Sequence, residues 1–467
     1  MSELHYETLA AVAQQIQTQA VSPTALTEVM LDRIAQLNPS AHAYTCVMSE
    51  QARAQAQAAE QEINAGTYRG QLHGVPIAVK DLLDVEGVPT TCGSTIRQNA
   101  VASHDATVIA KLRAAGAVIL GKLNMTEFAL SGYHRELPVP VNPWGADRWA
   151  GVSSSGSGVA TALGMAFGTL GSDTGGSIRF PSAVNGVVGI KPTFGTVSKA
   201  GAFPLSYTLD HVGPIARGVE DAAILLQAIA GHDPHDPFTH RTPVPDYLAQ
   251  LTAGVRGLRI GVDETYCAND ADPEVTQATL NATRVLEELG AILVPVNVMP
   301  TLAVAPFWGA VVAAEAAVAH ADTYPSQAGE YGPVFGGLLE AAPSLTASDY
   351  AQARLATAQA QSTFDAVFAD VDLLVCPGAP SPAMPLSEFG PTDVLPPEAV
   401  ASFVGFCAPM NFTGIPTVSV PCGFSIGFLP IGLQFVGPRH AEPLLIQAAY
   451  AYEQATTWHT AQPPEPS

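Results

Sequence analysis

Positive charge is scarce in this sequence. Lysine and arginine supply 20 of 467 residues against 42 acidic ones, a formal charge of −22. Nucleic-acid binders rely on cationic contacts to phosphate, so that class of partner is excluded. Charge of either sign is thin, at 13% of residues, about half the usual share. A highly charged disordered chain is thereby excluded, and so is a coiled coil. The six cysteines, at 46, 92, 267, 376, 407 and 422, form no C-x-x-C pair. Buried reduced thiols are expected, not a zinc or disulfide framework. No apolar run is expected to reach the ~18 to 20 residues that cross a membrane. The Ala-rich segment Trp308 to Ala319 is short and is interrupted by Glu315. The opening MSELHYETLAAVAQQ has no basic segment leading into an apolar one, so no signal peptide is expected. These absences point to the cytoplasm and away from membranes.

What is abundant is apolar residues, at 47%, with 41 glycines and 38 prolines. That is enough for a large core with many turns. The length suits one large α/β unit. Residues 4 to 37 read as two helices separated at Ser22-Pro23, an N-cap followed by a first-turn proline. A third helix spans 49 to 65 and ends at Gly66. From there the texture alternates. Strand-like runs at 75–79 and 117–120 flank a helical stretch at 106–115, and 258–263, 273–289 and 291–296 repeat strand, helix, strand. Residues 300 to 400 read as a helical cap with loops. A hairpin over 410–437 and a helix over 442–455 follow, then a proline-rich tail. The expected fold class is α/β, a central mixed twisted sheet covered on both faces by helices. It is expected as a single domain over 1–467: N-terminal helices to 66, a core from 67 to 235, an αβ segment and cap from 236 to 400, and a C-terminal hairpin and helix from 401 to 460.

Two motif matches fail on inspection. GAVILGKL at 116–123 is one residue short of a phosphate-binding loop, its middle is strand-like, and Leu123 stands where a magnesium-binding hydroxyl belongs. GFSIG at 423–427 fits a nucleophile elbow, but that elbow needs a helix after the serine. Ser425 is followed by an isoleucine and then GFLPIGLQFVG, which reads as a second strand.

Two other segments carry chemistry. GVSSSGSGVATALGMAFGTLGSDTGGSIRF, 151–180, opens and closes on Gly/Ser clusters. Such loops present N–H groups to an anion, and a serine after two glycines suits a nucleophile beside an oxyanion hole. Lys80 ends the apolar run VPIAV. Burial lowers a lysine's pKa, and a neutral amine can act as a base. A plain ion pair with Asp81 or Asp84 is the competing reading.

Together these residues resemble the amidase signature family of Ser-Ser-Lys hydrolases. The family pattern G-x-P-x-x-x-K-D stands at 74–81 as GVPIAVKD, and D-T-G-G-S-I-R stands intact at 173–179. The run from Phe180 through Arg217, NPW at 142–144, and the segment 411–437 are also similar to the family, and the likeness is weakest over 235–400. The resemblance implies Ser177 as nucleophile, Ser153 as the bridging serine on a cis peptide, and Lys80 as base. It implies an oxyanion hole from the N–H groups of Thr174, Gly175, Gly176 and Ser177. Ala129, with Ser153, is expected to touch substrate. Where the family has G-G-S-S-G-G-S, this chain has GVSSSGS, with Val152 and Ser155 replacing glycines. No metal and no cofactor are implied. His211 is expected to be structural, and Asp173 and Arg179 to brace the loop. The expected substrates are small neutral amides, with esters and carbamates accepted, and hence aryl acylamidase or urethanase activity. Phe307, Trp308, Tyr331 and Phe335 are expected near the pocket. A second copy of the chain, as a homodimer, is the one macromolecular partner this reading allows. The glutaminase component of a tRNA-dependent amidotransferase is the alternative enzyme, and a silent scaffold of the same fold the alternative outside enzymes.

Overall fold

The computed structural model describes residues 4–464; the first three residues and the last three of the proline-rich tail lie outside it. Eleven strands follow one another in the chain: β1 Tyr44–Val47, β2 Pro76–Lys80, β3 Val118–Leu123, β4 Gly168–Asp173, β5 Val188–Lys191, β6 His211–Ala216, β7 Arg259–Val262, β8 Ile292–Pro295, β9 Leu373–Pro377, β10 Thr417–Phe424 and β11 Pro430–Val436. They form one sheet in the order β1-β3-β2-β4-β6-β5-β10-β11-β9-β7-β8. The sheet is mixed. β2 is parallel to β3 and β4, and β7 is parallel to β8 and β9, while β4–β6, β5–β10 and β10–β11 are antiparallel.

Side chains alternate between the faces of a strand. Every residue of β2, β3, β4, β5, β6, β9 and β11 is buried, so both faces of the sheet's middle are covered. β8 at one end has only exposed and half-buried residues, as suits an edge strand.

The local signals place several boundaries. Ser22 Oγ accepts the Ala25 N–H at 3.1 Å and starts the helix Pro23–Ala41. The helices Ser49–Asn64 and Pro273–Glu288 lie where the sequence pattern puts them. GAVILGKL is buried strand, and Ser425 sits in the turn between β10 and β11, so neither discarded motif has its required setting. The 300–400 region departs further from expectation. It holds the 24-residue helix Ala347–Asp370 and the fully buried strand β9, which lies between β11 and β7. A 3-10 stretch, Met299–Phe307, leads into the helix Trp308–Ala319. By length and composition Met299–Ala319 is apolar enough to cross a membrane, which corrects the expectation that no stretch is. In the fold it is a cap helix, with Trp308 and Glu315 hydrogen-bonded to the core.

Candidate active site

Lys80 stands at the C-terminal end of β2 and is fully buried. Its Nζ lies 2.7 Å from Ser153 Oγ and 2.9 Å from both Ser154 Oγ and Ser172 Oγ. Neither Asp81 nor Asp84 is among its hydrogen-bond partners. Asp81 pairs instead with buried Lys122, at 2.9 Å, and accepts the Thr91 hydroxyl. Burial pushes Lys80 down to about 7, although the charges of Asp173 and Asp210 pull the other way. Desolvation therefore wins, and the amine titrates near neutrality.

The three hydroxyls around Nζ differ in what they can do. Ser154 gives its one hydrogen to Ser172 O at 3.1 Å and takes the Ser172 N–H at 3.2 Å. Toward Lys80 it can therefore only accept. A neutral amine has two N–H bonds and one lone pair. Ser154 uses one N–H, leaving one N–H and the lone pair for Ser153 and Ser172. Ser153, the nearest, is thus able to donate to the lysine. Of the adjacent serines that meet Lys80, this bond pattern leaves Ser153 able to donate to it and Ser154 able only to accept from it. Ser155 accepts from Tyr133 Oη at 2.7 Å and starts the helix Ser155–Ala162. The Val152–Ser153 peptide is cis, as the resemblance implied.

The loop Asp173–Ser177 follows β4. Asp173 is held by Arg179 through two bonds, Nη2–Oδ1 at 2.8 Å and Nε–Oδ2 at 3.0 Å, with both residues fully buried. Burial alone would raise the Asp173 carboxyl. The Arg179 charge and hydrogen bonds, with Lys191 and Asn411, override this and hold it well below the usual carboxylate range. Arg179 also reaches Cys407 O and Gln434 Oε1, tying the loop to chain more than 200 residues away. His211 Nδ1 meets Leu209 O at 2.7 Å, and burial keeps the ring neutral.

One of the four expected oxyanion donors is corrected. The Gly176 N–H donates to Asp173 Oδ1 at 2.9 Å, so its hydrogen is already engaged. Among the described residues the N–H groups of Thr174, Gly175 and Ser177 have no such partner. The glycines themselves are required. A Cβ on Gly175 would lie 2.5 Å from Trp308 Nε1, and Gly176 has φ +128° with Phe180 against it.

A cavity of about 560 Å³ opens over Ser177, Gly175 and Val152. Ala129 is in its wall, held with Phe128 in left-handed backbone at φ +65° and +47°. Trp308 lines it, with its Nε1 bonded to Thr174 O at 3.0 Å. Among the described residues no charged side chain and no histidine lines it. Tyr331 and Phe335 do not: they are core residues, 3% and 1% exposed, packed on Phe128 and His320. Phe307 packs against the core and is likewise absent from the wall. Phe180, Phe389 and Phe403 supply the rings instead. Nothing local in the sequence marks those three rings, or Ser154 and Ser172 as lysine partners, because distant segments bring them together.

The family described as Amidase matches residues 25–446. The Mycobacterium tuberculosis protein named "Putative amidase AmiD" is 44% identical over 98% of this chain and 95% of its own length. A glutamyl-tRNA(Gln) amidotransferase chain of a Cyanothece species is 39% identical over 96% of this chain and 98% of its own. The crystal structure of a bacterial aryl acylamidase of the amidase signature family superimposes with a TM-score of 0.89 at 26% identity, covering 98% of each chain. Likeness of this extent, running through the Lys80 strand, the serine loops and the sheet that joins them, makes the chain a member of the amidase signature family of amide hydrolases.

Proposed function

We propose that this amidase cleaves neutral, fairly apolar amides through a serine acyl-enzyme. The observation that carries the reading is the uncharged cavity over Ser177 and Val152, with Ser153, the residue after Val152, buried and hydrogen-bonded to Lys80. Lys80 takes a proton from Ser153 as Ser153 takes one from Ser177, and the Ser177 oxygen bonds to the carbonyl carbon. The charge that forms on the carbonyl oxygen meets the N–H groups of Thr174, Gly175 and Ser177. Each such donor is worth about 3 to 4 kcal/mol in comparable sites. Ser153 then delivers a proton to the leaving nitrogen, taking one from Lys80, and the C–N bond breaks. Water repeats the sequence on the ester.

Esters and carbamates pass through the same tetrahedral anion. The rings of Phe180, Phe403 and Trp308 in the wall favour aryl amides and urethanes among the substrates. A second reading is the glutaminase component of a tRNA-dependent amidotransferase, supported by the 39% identity to the Cyanothece chain. Glutamine carries an ammonium and a carboxylate, and burying either without a partner is costly. The apolar wall argues against it. We also place the enzyme in the cytoplasm, as a single chain or a homodimer; all six cysteines are free and five of them are buried.

A panel of anilides, p-nitrophenyl esters, small carbamates, primary amides and free glutamine tests the reading. The expected result is hydrolysis of anilides and esters with acyl groups of moderate size and little release of ammonia from glutamine. Glutamine as the preferred substrate would overturn it. Fluorophosphonate should label Ser177; absence of labelling would mean a silent scaffold.

A further inference from the structure

A second cavity, of about 340 Å³, shares Ala129 with the first and is lined by Ser172, the Lys80 partner, and by Asp210. Asp210 immediately precedes β6. It accepts the Thr174 hydroxyl at 2.6 Å on Oδ1 and the N–H groups of Leu205 and Ser206 at 2.9 and 3.0 Å on Oδ2. Burial raises its carboxyl, and the Lys199 charge and these donors oppose the rise. Three donors converging on one carboxylate suit its ionised form. We propose that Asp210 is a positioning residue, which fixes the oxyanion loop through Thr174 and supplies negative charge behind Lys80. The proposal rests on the reading of Ser177 as nucleophile.

The holding role follows from where the loop is tied. Asp173 is anchored by Arg179, and Thr174 O by Trp308. Gly175 and Gly176 have no side chains. Among the residues between Asp173 and Ser177, Thr174 is therefore the one whose own side chain can tether the loop, and Asp210 is what its hydroxyl reaches. Asp210 is itself fixed to the cap. Glu315 accepts Ser206 Oγ at 2.5 Å, Thr208 N at 3.0 Å and Thr208 Oγ1 at 2.8 Å, and so clamps the segment that donates to Asp210. The donors that face the reacting carbonyl are thus held from the cap side as well as from the core.

The electrostatic role follows from pairing. Asp210 lines the same cavity as Ser172, whose Oγ lies 2.9 Å from Lys80 Nζ, and the charges of Asp173 and Asp210 both act on that amine. Asp173 is matched at contact by Arg179. Asp210 has no ion pair within 4 Å among the described residues. Lys199 faces it at longer range, its Nζ bonded to Tyr207 O at 2.6 Å between the rings of Phe194 and Phe238. His235 and Asp236 share the cavity, and His211 is kept neutral by burial. Burial alone would weaken Lys80 as a base by favouring its neutral form too strongly. A negative charge behind it keeps its pKa close to working pH, where general bases are effective.

The test is kcat/KM on one anilide across pH, with fluorophosphonate labelling rates, for Asp210→Asn, Thr174→Val, Thr174→Ser and Ser177→Ala, each checked for folding by circular dichroism. Thr174→Val should lose about 100-fold in kcat, the scale of a misplaced reacting group, with its acid limb unmoved. Thr174→Ser should recover most of the rate. Asp210→Asn should lose rate and also move the acid limb to lower pH, because a charge favouring protonated Lys80 is gone. Wild-type rate in Thr174→Val overturns the holding role even where Asp210→Asn does not fold, and an unmoved limb in folded Asp210→Asn overturns the electrostatic one. Normal labelling of Ser177→Ala would bring down the nucleophile reading and this proposal together. Labelling lost there but unchanged in the Thr174 and Asp210 variants would bring down this proposal alone.

Discussion

Lys80 shows how burial brings a side chain that is ordinarily a cation close to its neutral form. Its strand is covered on both faces, its neighbours are hydroxyls, and the nearest carboxylate in sequence, Asp81, is spent on Lys122. Activity should follow the neutral amine, falling toward acid with a midpoint near the value of about 7 set by burial and reaching a plateau above it. We predict that Lys80→Ala loses about 1,000-fold on amides, within the usual range for a general base, and less on p-nitrophenyl esters, whose leaving groups need no proton. Lys80→Arg should not restore activity, because a guanidinium keeps its proton. A Lys80→Arg enzyme with a wild-type pH profile would show that the base lies elsewhere. Gly175 gives a second prediction. A methyl there must displace Trp308, breaking the Nε1 bond to Thr174 O. Gly175→Ala should lower kcat at least about tenfold, the scale of small misplacements at a reacting centre. The loss should be smaller in a Trp308→Phe background, where the ring is shorter, so a double-mutant cycle should be non-additive. Strict additivity would mean that the methyl acts without moving the indole.

At the scale of elements, the cap divides into wall and core. Leu338 and Val334 of the helix Pro333–Ala341 face the cavity, while Phe335 and Leu339 of the same helix are buried beneath. Leu338→Phe should therefore narrow the cavity and penalise the largest acyl groups first, leaving small esters nearly unaffected. Tyr331→Phe should do the opposite. It removes the hydroxyl that meets His320 Nδ1 at 2.9 Å and Thr323 Oγ1 at 2.6 Å. It should cost about 1 kcal/mol of stability with substrate preference unchanged, and chemical denaturation together with the substrate panel would read both. A changed preference in Tyr331→Phe would return that ring to the pocket. The same region shows why elements were unevenly legible. Pro273–Glu288 and Pro23–Ala41 announce themselves with capping residues and a first-turn proline. The helix Ala347–Asp370 buries Ala353, Ala356, Ala360, Phe364 and Val367. Most of that face is alanine, which fits equally inside or outside, so its apolar stripe does not stand out from the polar one.

Across the whole molecule, buried acids couple stability to pH. Glu453 is 6% exposed and accepts the Val219 N–H at 2.8 Å at the start of the helix Val219–Ile229. Burial, with the nearby charge of Asp221, raises it to about 8, and burial raises Asp221 to about 6. A carboxyl whose folded pKa lies above its unfolded one, about 4.3 for Glu, favours folding while protonated. That contribution is present below pH ~4.3 and is lost as pH rises through about 8. Glu453→Gln keeps an acceptor for Val219 and removes the titration. Its Tm should match wild type near pH 5 and exceed it by about 3 °C near pH 8.5, given the size scaling of unfolding entropy. A difference independent of pH would mean that Glu453 is already ionised in the fold. Folding lowers the Lys80 pKa, so its contribution runs the opposite way: the penalty it places on the fold shrinks as pH rises from about 7 toward the unfolded value of about 10.4, and the comparison between variant and wild type cancels it.

The family was legible in the chain alone, because GVPIAVKD and DTGGSIR are contiguous, and a Gly/Ser loop or a strand-end lysine is specified by residues that are neighbours in sequence. The same locality made the helix caps and the β10–β11 hairpin readable. Folding had to settle that Ser153 and Ser154 meet Lys80 while Ser155 meets Tyr133, which of four N–H groups is already taken, and which aromatic rings form the wall. Those depend on pairs far apart in sequence, such as Arg179 with Cys407 and Gln434, Glu315 with Ser206, and Gly175 with Trp308. Such pairs leave no periodic or local trace, since their contact is fixed by the order of the strands and by the packing of the cap, and the charge state of Lys80 is fixed by the burial that follows from both.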